Sequence, residues 1–402
     1  MTPVSKEPES CRDSPNIHTK IGEHMALTVG VIGGGQLARM MIPAAVALGI
    51  DLRVLAEQPG MSAALAAVGV GDYRDLQTVI DFAETVDVVT FDHEHVPQEI
   101  LRELVRRGIP VHPGPDALQY AQDKLLMRAR LAELGLPVPD WARVENAEQL
   151  GTFLAAHGGR AVVKTARGGY DGKGVRVVSH EHEADDWFAA LVEDANGGAL
   201  LVEELVEFRR ELAQVVARRP SGEIALWPVV ETVQRGGVCA EVIAPAPHAA
   251  GRLAEVAADI AIAVAEGIGV TGVLAVELFE TTDDRLLVNE LAMRPHNSGH
   301  WSIDGSTTSQ FEQHLRAVLD LPLGATGTRE AWSVMVNVFG GPAEGTLGDR
   351  YPRAFAENPA VKVHNYGKAS RPGRKVGHVT AGGKDLDDVV YQARATAAFL
   401  QD

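Results

Sequence analysis

The chain has 402 residues, 46% of them apolar and 23% charged, with a formal net charge of −17; that is long enough for two or three domains, each with its own core. So acidic a balance argues against a general nucleic-acid binder, which would carry a basic surface, but it leaves small anionic substrates open because local basic clusters can outweigh the mean. The two cysteines, Cys11 and Cys239, cannot form a four-thiolate zinc site or a disulfide framework, which suits a reducing cytosol.

The first 25 residues are polar, carry Pro3, Pro8 and Pro15, and lack the apolar stretch of a secretory signal. They are expected to be a disordered tail, with the folded chain starting near Met25. No charge-free apolar run is long enough to span a membrane. Residues 27–32 read as a β-branched strand running into GGGQLARMM and a helix to Leu48. Further strands are expected at 52–56 and 86–91, and this alternation up to about Pro113 argues for a parallel α/β sheet. Gly33, Gly35 and Ala38 match G-x-G-x-x-A, with Glu57 ending the next strand, which is the setting of a dinucleotide-binding turn. The same turn would equally hold a ribose-phosphate at the helix N-terminus, or no ligand at all. His93 and His95 suggest a metal pair by spacing, but no third ligand accompanies them.

From Pro115 the texture changes. ALQYAQDKLLMRARLAELGLPVPDW reads as one helix stopped by Gly135 and Pro137. A strand at 161–163 then leads into KTARGGYDGKG, residues 164–174. This is not a Walker A loop, because Arg167 and Gly174 stand where that motif needs glycine and Ser or Thr. A strand lysine, Lys164, followed by a glycine-rich turn suits a flap over nucleotide phosphates; a mobile hairpin is the plainer alternative. Strands at 199–206, 211–217, 224–230 and 238–243, an alanine-rich helix at 251–267, the strands TGVLAVELFE and RLLVNEL, and a helix at 309–319 describe an α+β domain. A smaller C-terminal segment follows, with strands at 333–338 and 361–366 and a closing helix.

Glu277 in AVELFE and Glu290 in LLVNELAMRP, beside Asn289, are suited to hold Mg²⁺ between protein and phosphate oxygens, unless each merely faces solvent at a strand end. RPHNSGHWSIDG adds Arg294, His296, Asn297, Ser298 and His300 in one loop, a donor set for a small oxyanion. Between Asn358 and Lys384 there is no acidic residue, yet Lys368, Arg371, Arg374 and Lys375 cluster there. In so acidic a chain that is a local anion trap, or else a solvated basic loop.

Lys124 in QDKLLMRARL, Lys164 with GGYDGKG, VEELVEFRRE, VELF and NELAMRPHNSGH occur in the order expected of an ATP-grasp ligase. GGGQLARM, FDHEHVP, GGYDGKG, RPHNSGHWSIDG and YGKASRPGRKVGHV narrow the likeness: from about Leu27 to its end the chain resembles the 5-(carboxyamino)imidazole ribonucleotide synthase family. The resemblance implies a Rossmann-like parallel α/β pre-ATP-grasp domain (26–120), a central ATP-grasp domain (121–325) and a small C-terminal domain (326–402). It implies ATP and Mg²⁺ as cofactors. Lys124 and Lys164 would touch the ATP phosphates under a flap of Gly168, Gly169, Asp171, Gly172, Lys173 and Gly174. Glu203, Glu204 and Val206 would meet the adenine edge, Glu211 the ribose hydroxyls, Asn289 and Glu290 the nucleotide, and Glu277 and Glu290 the metal. Gln234 stands where similar enzymes often carry a histidine, a departure at one nucleotide contact.

The reaction implied is attack of bicarbonate on the γ-phosphate, giving carboxyphosphate and ADP, then carboxylation of the exocyclic amine of 5-aminoimidazole ribonucleotide in purine biosynthesis. Arg294, His296 and Asn297 would hold bicarbonate and the mixed anhydride. Gly34, Gln36, Leu37, Lys368, Arg374 and Lys375 would receive the ribonucleotide, and Glu94 and Tyr170 its imidazole or amine. His300, Glu94 and the substrate's own phosphate are the three candidates for taking the amine proton. The partners implied are these small molecules, with no nucleic acid or membrane, in a cytoplasmic homodimer. The competing expectations are another ATP-grasp ligase, a nicotinamide-dependent oxidoreductase, and an ATP-binding regulator without turnover.

Overall fold

Thr28–Ile32 (β1) is buried at every position, as befits a β-branched run inside a parallel sheet covered on both faces. In the computed structural model, which describes residues 26–169, 174–193 and 198–401, β1 leads through α1 (Gln36–Leu48) to β2 (Asp51–Ala56), β3 (Ala67–Val70), α2 (Leu76–Ala83), β4 (Val88–Phe91) and α3 (Gln98–Arg106). The strands are all parallel and lie in the order β3-β2-β1-β4. The expected tail and Cys11 lie outside the described residues.

Where one helix was expected from Pro115 there are two, α4 (Pro115–Gln122) and α5 (Lys124–Glu133). Asp123 separates them in extended conformation and its carboxylate accepts from the amides of Leu125 and Leu126. It is an N-cap inside what reads as a continuous periodic run. Lys124 is therefore the first residue of a helix, and its own amide donates to the Ala166 carbonyl at 2.8 Å.

A second sheet is antiparallel, from β5 (Trp141–Val144), β6 (Ala161–Thr165), β7 (Val175–Val178) and β8 (Leu200–Glu204) in the order β5-β8-β6-β7. It packs α6 (Ala147–Ala156) and α7 (Asp185–Glu193) over a core of its own that includes Val144, Leu150, Phe153, Val163 and Val202.

The third sheet holds β9 (Phe208–Arg218), β10 (Ile224–Leu226), β11 (Val230–Arg235), β12 (Val238–Ala244), β13 (Gly272–Thr281), β14 (Leu286–Ala292), β15 (Trp332–Phe339), β16 (Lys362–Asn365) and β17 (Lys375–Gly383). Its helices are α8 (Arg252–Ile268), α9 (Gln310–Val318), α10 (Leu347–Glu357) and α11 (Leu386–Gln401). The main order is β14-β13-β9-β11-β12-β15-β17-β16, with β10 on β9. The single strand expected at 224–230 is split around Pro228, which has no amide to give a ladder. The sheet also runs across the boundary expected near residue 325, since β12 pairs with β15 from Glu241↔Val336 to Ala244↔Ser333. The C-terminal strands thus extend the central sheet.

Candidate active site

Glu277 on β13 and Glu290 on β14 are direct register partners, with a bulge just after Glu277. Across the other edge of β13, Glu277 opposes Ala213 and Phe279 opposes Glu211 on β9. Side chains alternate along a strand, so Glu211, Glu277 and Glu290 share one face of the sheet. Carboxylates directly opposite one another repel, and the chain brings hydrogen-bond donors to them. Lys124, at the head of α5, pairs with Glu290, and His296 Nε2 lies 3.2 Å from Glu277 Oε1.

Lys164 reaches the same place from the second sheet, with Nζ 2.6 Å from Glu203 Oε2 and 3.2 Å from Asn289 Oδ1. The other oxygen of Glu203 pairs with Arg128. This wholly buried arginine also donates to the carbonyls of Val288, at 2.6 Å, and Asn289, at 2.8 Å. Arg128 was not anticipated from the sequence. It binds β8 to β14 and leaves the Glu203 carboxylate committed to Lys164 and Arg128. At this strand end Glu204, Leu205 and Val206 line the cavity alongside Glu203.

Burial, and then repulsion from Glu277, push the Glu211 carboxyl up to about 7, against a hydrogen bond from Gln234 and the pull of Lys164. Burial would raise Glu277 too, but the hydrogen bond from His296 and the charges of His296, Arg294 and Lys164 hold it below the usual carboxylate range. Glu203 behaves alike: burial works upward, and Lys164 and Arg128 outweigh it. Mg²⁺ prefers one or two carboxylates completed by phosphate oxygens and water. Glu277 and Glu290, face to face beside Asn289, fit that preference, although no group of three or more histidine, cysteine or acidic side chains able to hold a metal exists among the described residues. His93 and His95 stack at 5.3 Å between ring centroids and form no such group.

The loop after β14 is clamped by the first domain. Glu94 Oε1 accepts from the Met293 amide at 2.7 Å, and its Oε2 faces Arg294 Nε at 3.3 Å. His296 Nδ1 lies 2.9 Å from Ser298 Oγ and 3.3 Å from the Ser298 amide, and its Nε2 faces Glu277. Asn297 is buried, its Oδ1 accepting from Asn337 Nδ2 at 3.1 Å. His300 is wholly buried and accepts at Nδ1 from Gln310 Nε2, 2.9 Å away.

At the first glycine cluster the helix N-terminus is partly filled from within. The Gly34 amide donates to Glu57 at 2.9 Å and the Ala38 amide to Asp92 at 2.8 Å. Burial raises the Glu57 carboxyl, but His93 and the Gly34 amide outweigh it and bring the group to about 2. Glu57 is thus turned inward, away from the ribose role a dinucleotide fingerprint would give it. Gly34 does not face the cavity, whereas Gly35, Gln36 and Leu37 do. Gln36 Oε1 accepts from Lys368 Nζ at 2.7 Å, and Lys368, Arg371, Arg374 and Lys375 line the same cavity.

That cavity, of about 1540 Å³, is also lined by Glu94, Lys124, Lys164, Gly168, Gly169, Glu211, Gln234, Glu277, Asn289, Glu290, Arg294, His296, Asn297 and His300. Gly174 closes the flap segment with φ 74°, and a Cβ there would meet Thr165 Oγ1 at 2.4 Å, so both conformation and space require glycine. Tyr170, Asp171, Gly172 and Lys173 lie outside the described residues.

Family models match in three consecutive pieces: a ribonucleotide synthetase preATP-grasp domain over residues 25–122, an ATP-grasp domain over 129–311 and a phosphoribosylaminoimidazole carboxylase C-terminal domain over 333–392. The N5-carboxyaminoimidazole ribonucleotide synthase of Mycobacterium bovis is 51% identical over 94% of this chain and 88% of its own length. The chain belongs to the N5-carboxyaminoimidazole ribonucleotide synthase family. Among solved structures of the family, that from Thermus thermophilus is 37% identical with a TM-score of 0.83, over 93% of this chain and 99% of the other. The family member from Aspergillus clavatus, in complex with ADP and 5-aminoimidazole ribonucleotide, is 29% identical with a TM-score of 0.83, over 94% and 99% of the two chains.

Proposed function

We propose that this chain carboxylates 5-aminoimidazole ribonucleotide with bicarbonate at the expense of ATP, releasing ADP and phosphate. The observation that carries this reading is a single cavity lined by two lysines with a facing pair of carboxylates, by four further basic residues with a helix N-terminus, and by the loop that bears Arg294, His296, Asn297 and His300. A nucleoside triphosphate and a second phosphorylated substrate need two sets of anion-binding groups in one cavity, so that the reacting centres can meet.

Lys124 and Lys164 would take the triphosphate oxygens, turning from Glu290, Glu203 and Asn289 to do so. Glu277 and Glu290, with Asn289, would hold Mg²⁺, which supplies charge neutralisation on the phosphates. Glu211 would take the ribose hydroxyls, with Gln234 as a neighbouring nucleotide contact. Arg294, His296 and Asn297 would orient bicarbonate so that its oxygen forms the new bond to the γ-phosphorus while the bond to ADP breaks. Gln36, Leu37, Lys368, Arg374 and Lys375 would anchor the ribonucleotide phosphate. Glu94 would then hold the exocyclic amine against the carboxyphosphate carbon, and the amine proton leaves with the displaced phosphate. Tyr170 and the flap residues Asp171, Gly172 and Lys173 belong to this reading as a cover that keeps water from the anhydride. A cytoplasmic setting and a homodimer follow from the same reading; sedimentation velocity checks the second.

ADP release with Mg-ATP and bicarbonate, with and without 5-aminoimidazole ribonucleotide, tests the proposal. The expected result is strong stimulation by the ribonucleotide, reduced at least about 100-fold in Arg294→Ala and Glu290→Ala. ATP hydrolysis indifferent to the ribonucleotide would remove the second substrate from the reading. ATP binding without any turnover would instead favour a regulator.

A further inference from the structure

Gln310, the first residue of α9, is wholly buried and lies directly beneath the 296–300 loop. Its Oε1 accepts from the His296 amide at 2.8 Å, and its Nε2 donates to the His296 carbonyl at 2.7 Å and to His300 Nδ1 at 2.9 Å. Its backbone amide donates to Ser302 Oγ, which in turn donates to the Gly299 carbonyl. A Cβ on Gly299 would sit 2.3 Å from Gln310 Oε1, so the loop crosses this amide at a distance only glycine permits.

These contacts determine where the protons are. A backbone N–H can only donate, so the side-chain atom facing the His296 amide is the oxygen, and the nitrogen faces His300. His300 Nδ1 therefore accepts, and its single proton is on Nε2. That Nε2 is buried and has no partner among the described residues. Asn297 Nδ2, three residues earlier, is buried with only the weakly accepting Cys239 sulfur beside it, and both residues line the cavity. A buried donor without a good acceptor is costly to the folded protein. Two poorly satisfied donors on one loop that lines the cavity mark a place made for an incoming oxyanion.

We propose that Gln310 is a positioning residue that locks His300 in its Nε2–H form, and that His300 and Asn297 together donate to the carboxylate oxygens of bicarbonate and of the intermediate made from it. His300 then serves as a neutral hydrogen-bond donor, and the proton of the amine goes elsewhere. The identity of the anion rests on the carboxylation reading; the tautomer and its cause do not.

The test has two parts. In ¹⁵N-histidine spectra of the free, full-length protein, His300 is expected with a protonated Nε2 and a bare Nδ1. Gln310→Glu, whose carboxylate offers no N–H, is expected to move a proton onto Nδ1. An Nδ1–H form in the parent, or spectra unchanged by Gln310→Glu, would overturn the positioning role whatever the substrate proves to be. The second part uses bicarbonate-dependent ADP release. Gln310→Glu and His300→Met are expected to lose roughly 10²-fold in kcat/KM for bicarbonate, with the calorimetric Kd for Mg-ATP within twofold. His300→Gln, which can place an amide N–H near the lost Nε2–H, is expected to recover at least about a tenth of the parent value. His300→Met as active as His300→Gln would overturn the donor role, and so would a loss in Mg-ATP binding equal to the loss for bicarbonate, which would mark a purely structural effect. Turnover that ignores the ribonucleotide in the parent protein would count against the carboxylation reading alone.

Discussion

Glu211 illustrates how much one residue's surroundings decide. Its carboxyl is moved from an ordinary 4.5 to about 7, first by burial and then by Glu277. A carboxyl whose folded pKa is raised takes up its proton more readily in the folded chain, so its contribution to stability falls as pH climbs from about 4.5 through about 7. Glutamine does not titrate and escapes that loss. In nucleotide-free protein with chelator, Glu211→Gln is therefore expected to gain on the parent between pH 5 and pH 8, by on the order of 2 °C in melting temperature. A gap that stays constant with pH, or narrows, would show that Glu211 is not strained in the empty site. Lys124, Lys164, Glu277, Glu290 and Arg294, singled out by charge type, position or family resemblance, do line one cavity. Arg128 and Gln310 were not legible in the sequence. Each acts through partners far along the chain or inside a loop fold, Arg128 on carbonyls 160 and 161 positions away, and neither belongs to a residue pattern with a meaning of its own.

At the scale of elements, the turn before α1 shows the difference between a pattern and its use. G-x-G-x-x-A correctly marked a strand–turn–helix unit, but the reason for Gly35 is internal: a Cβ there would stand 1.9 Å from Asp92 Oδ2. Asp92 needs that room to cap α1 at the Ala38 amide. Gly35→Ala is expected to drive Asp92 off the helix end, costing about 1 kcal/mol of stability as lost caps do. It should also raise the KM for the ribonucleotide roughly tenfold while leaving that for ATP unchanged, since α1 presents Gln36 and Leu37 to the cavity. An Asp92→Ala background should then make Gly35→Ala nearly silent, because the two changes break one contact; additive losses would contradict this. Strand β17 was missed for a related reason. Gly377, Gly382 and Gly383 within it weaken any strand signal, yet Gly377 is where β16 lies close, a Cβ there falling 2.7 Å from the His364 carbonyl.

Across the whole molecule, the three sheets do not stand on equal terms. The first sheet shares its cores with the third: Ile32, Leu101 and Leu118 pack in one cluster with Leu212, Val264 and Val288, and Met41 and Val54 in another with Phe311 and Leu315. The C-terminal strands continue the third sheet through β12 and β15. There the wholly buried Glu241 is held by both arms of Arg394 at 2.7 and 2.9 Å. The second sheet alone has a separate core, and it reaches the third through polar links at the site: Lys164 to Asn289, and Arg128 beneath Glu203. A unit with its own core and mainly polar joints can tilt with little loss of apolar contact, whereas the other two sheets cannot part without exposing their shared cores. On that basis Mg-ATP should slow amide exchange in β5 to β8 and in the joints around Lys124 and Asn289, with little change in β15 and β17. Because the links are ionic, Lys164→Met should speed exchange in the second sheet of the empty protein by at least about tenfold and leave the first and third near their parent rates. Exchange that changes evenly through all three sheets would mean that they open as one body, and that closure over the nucleotide belongs to the flap alone.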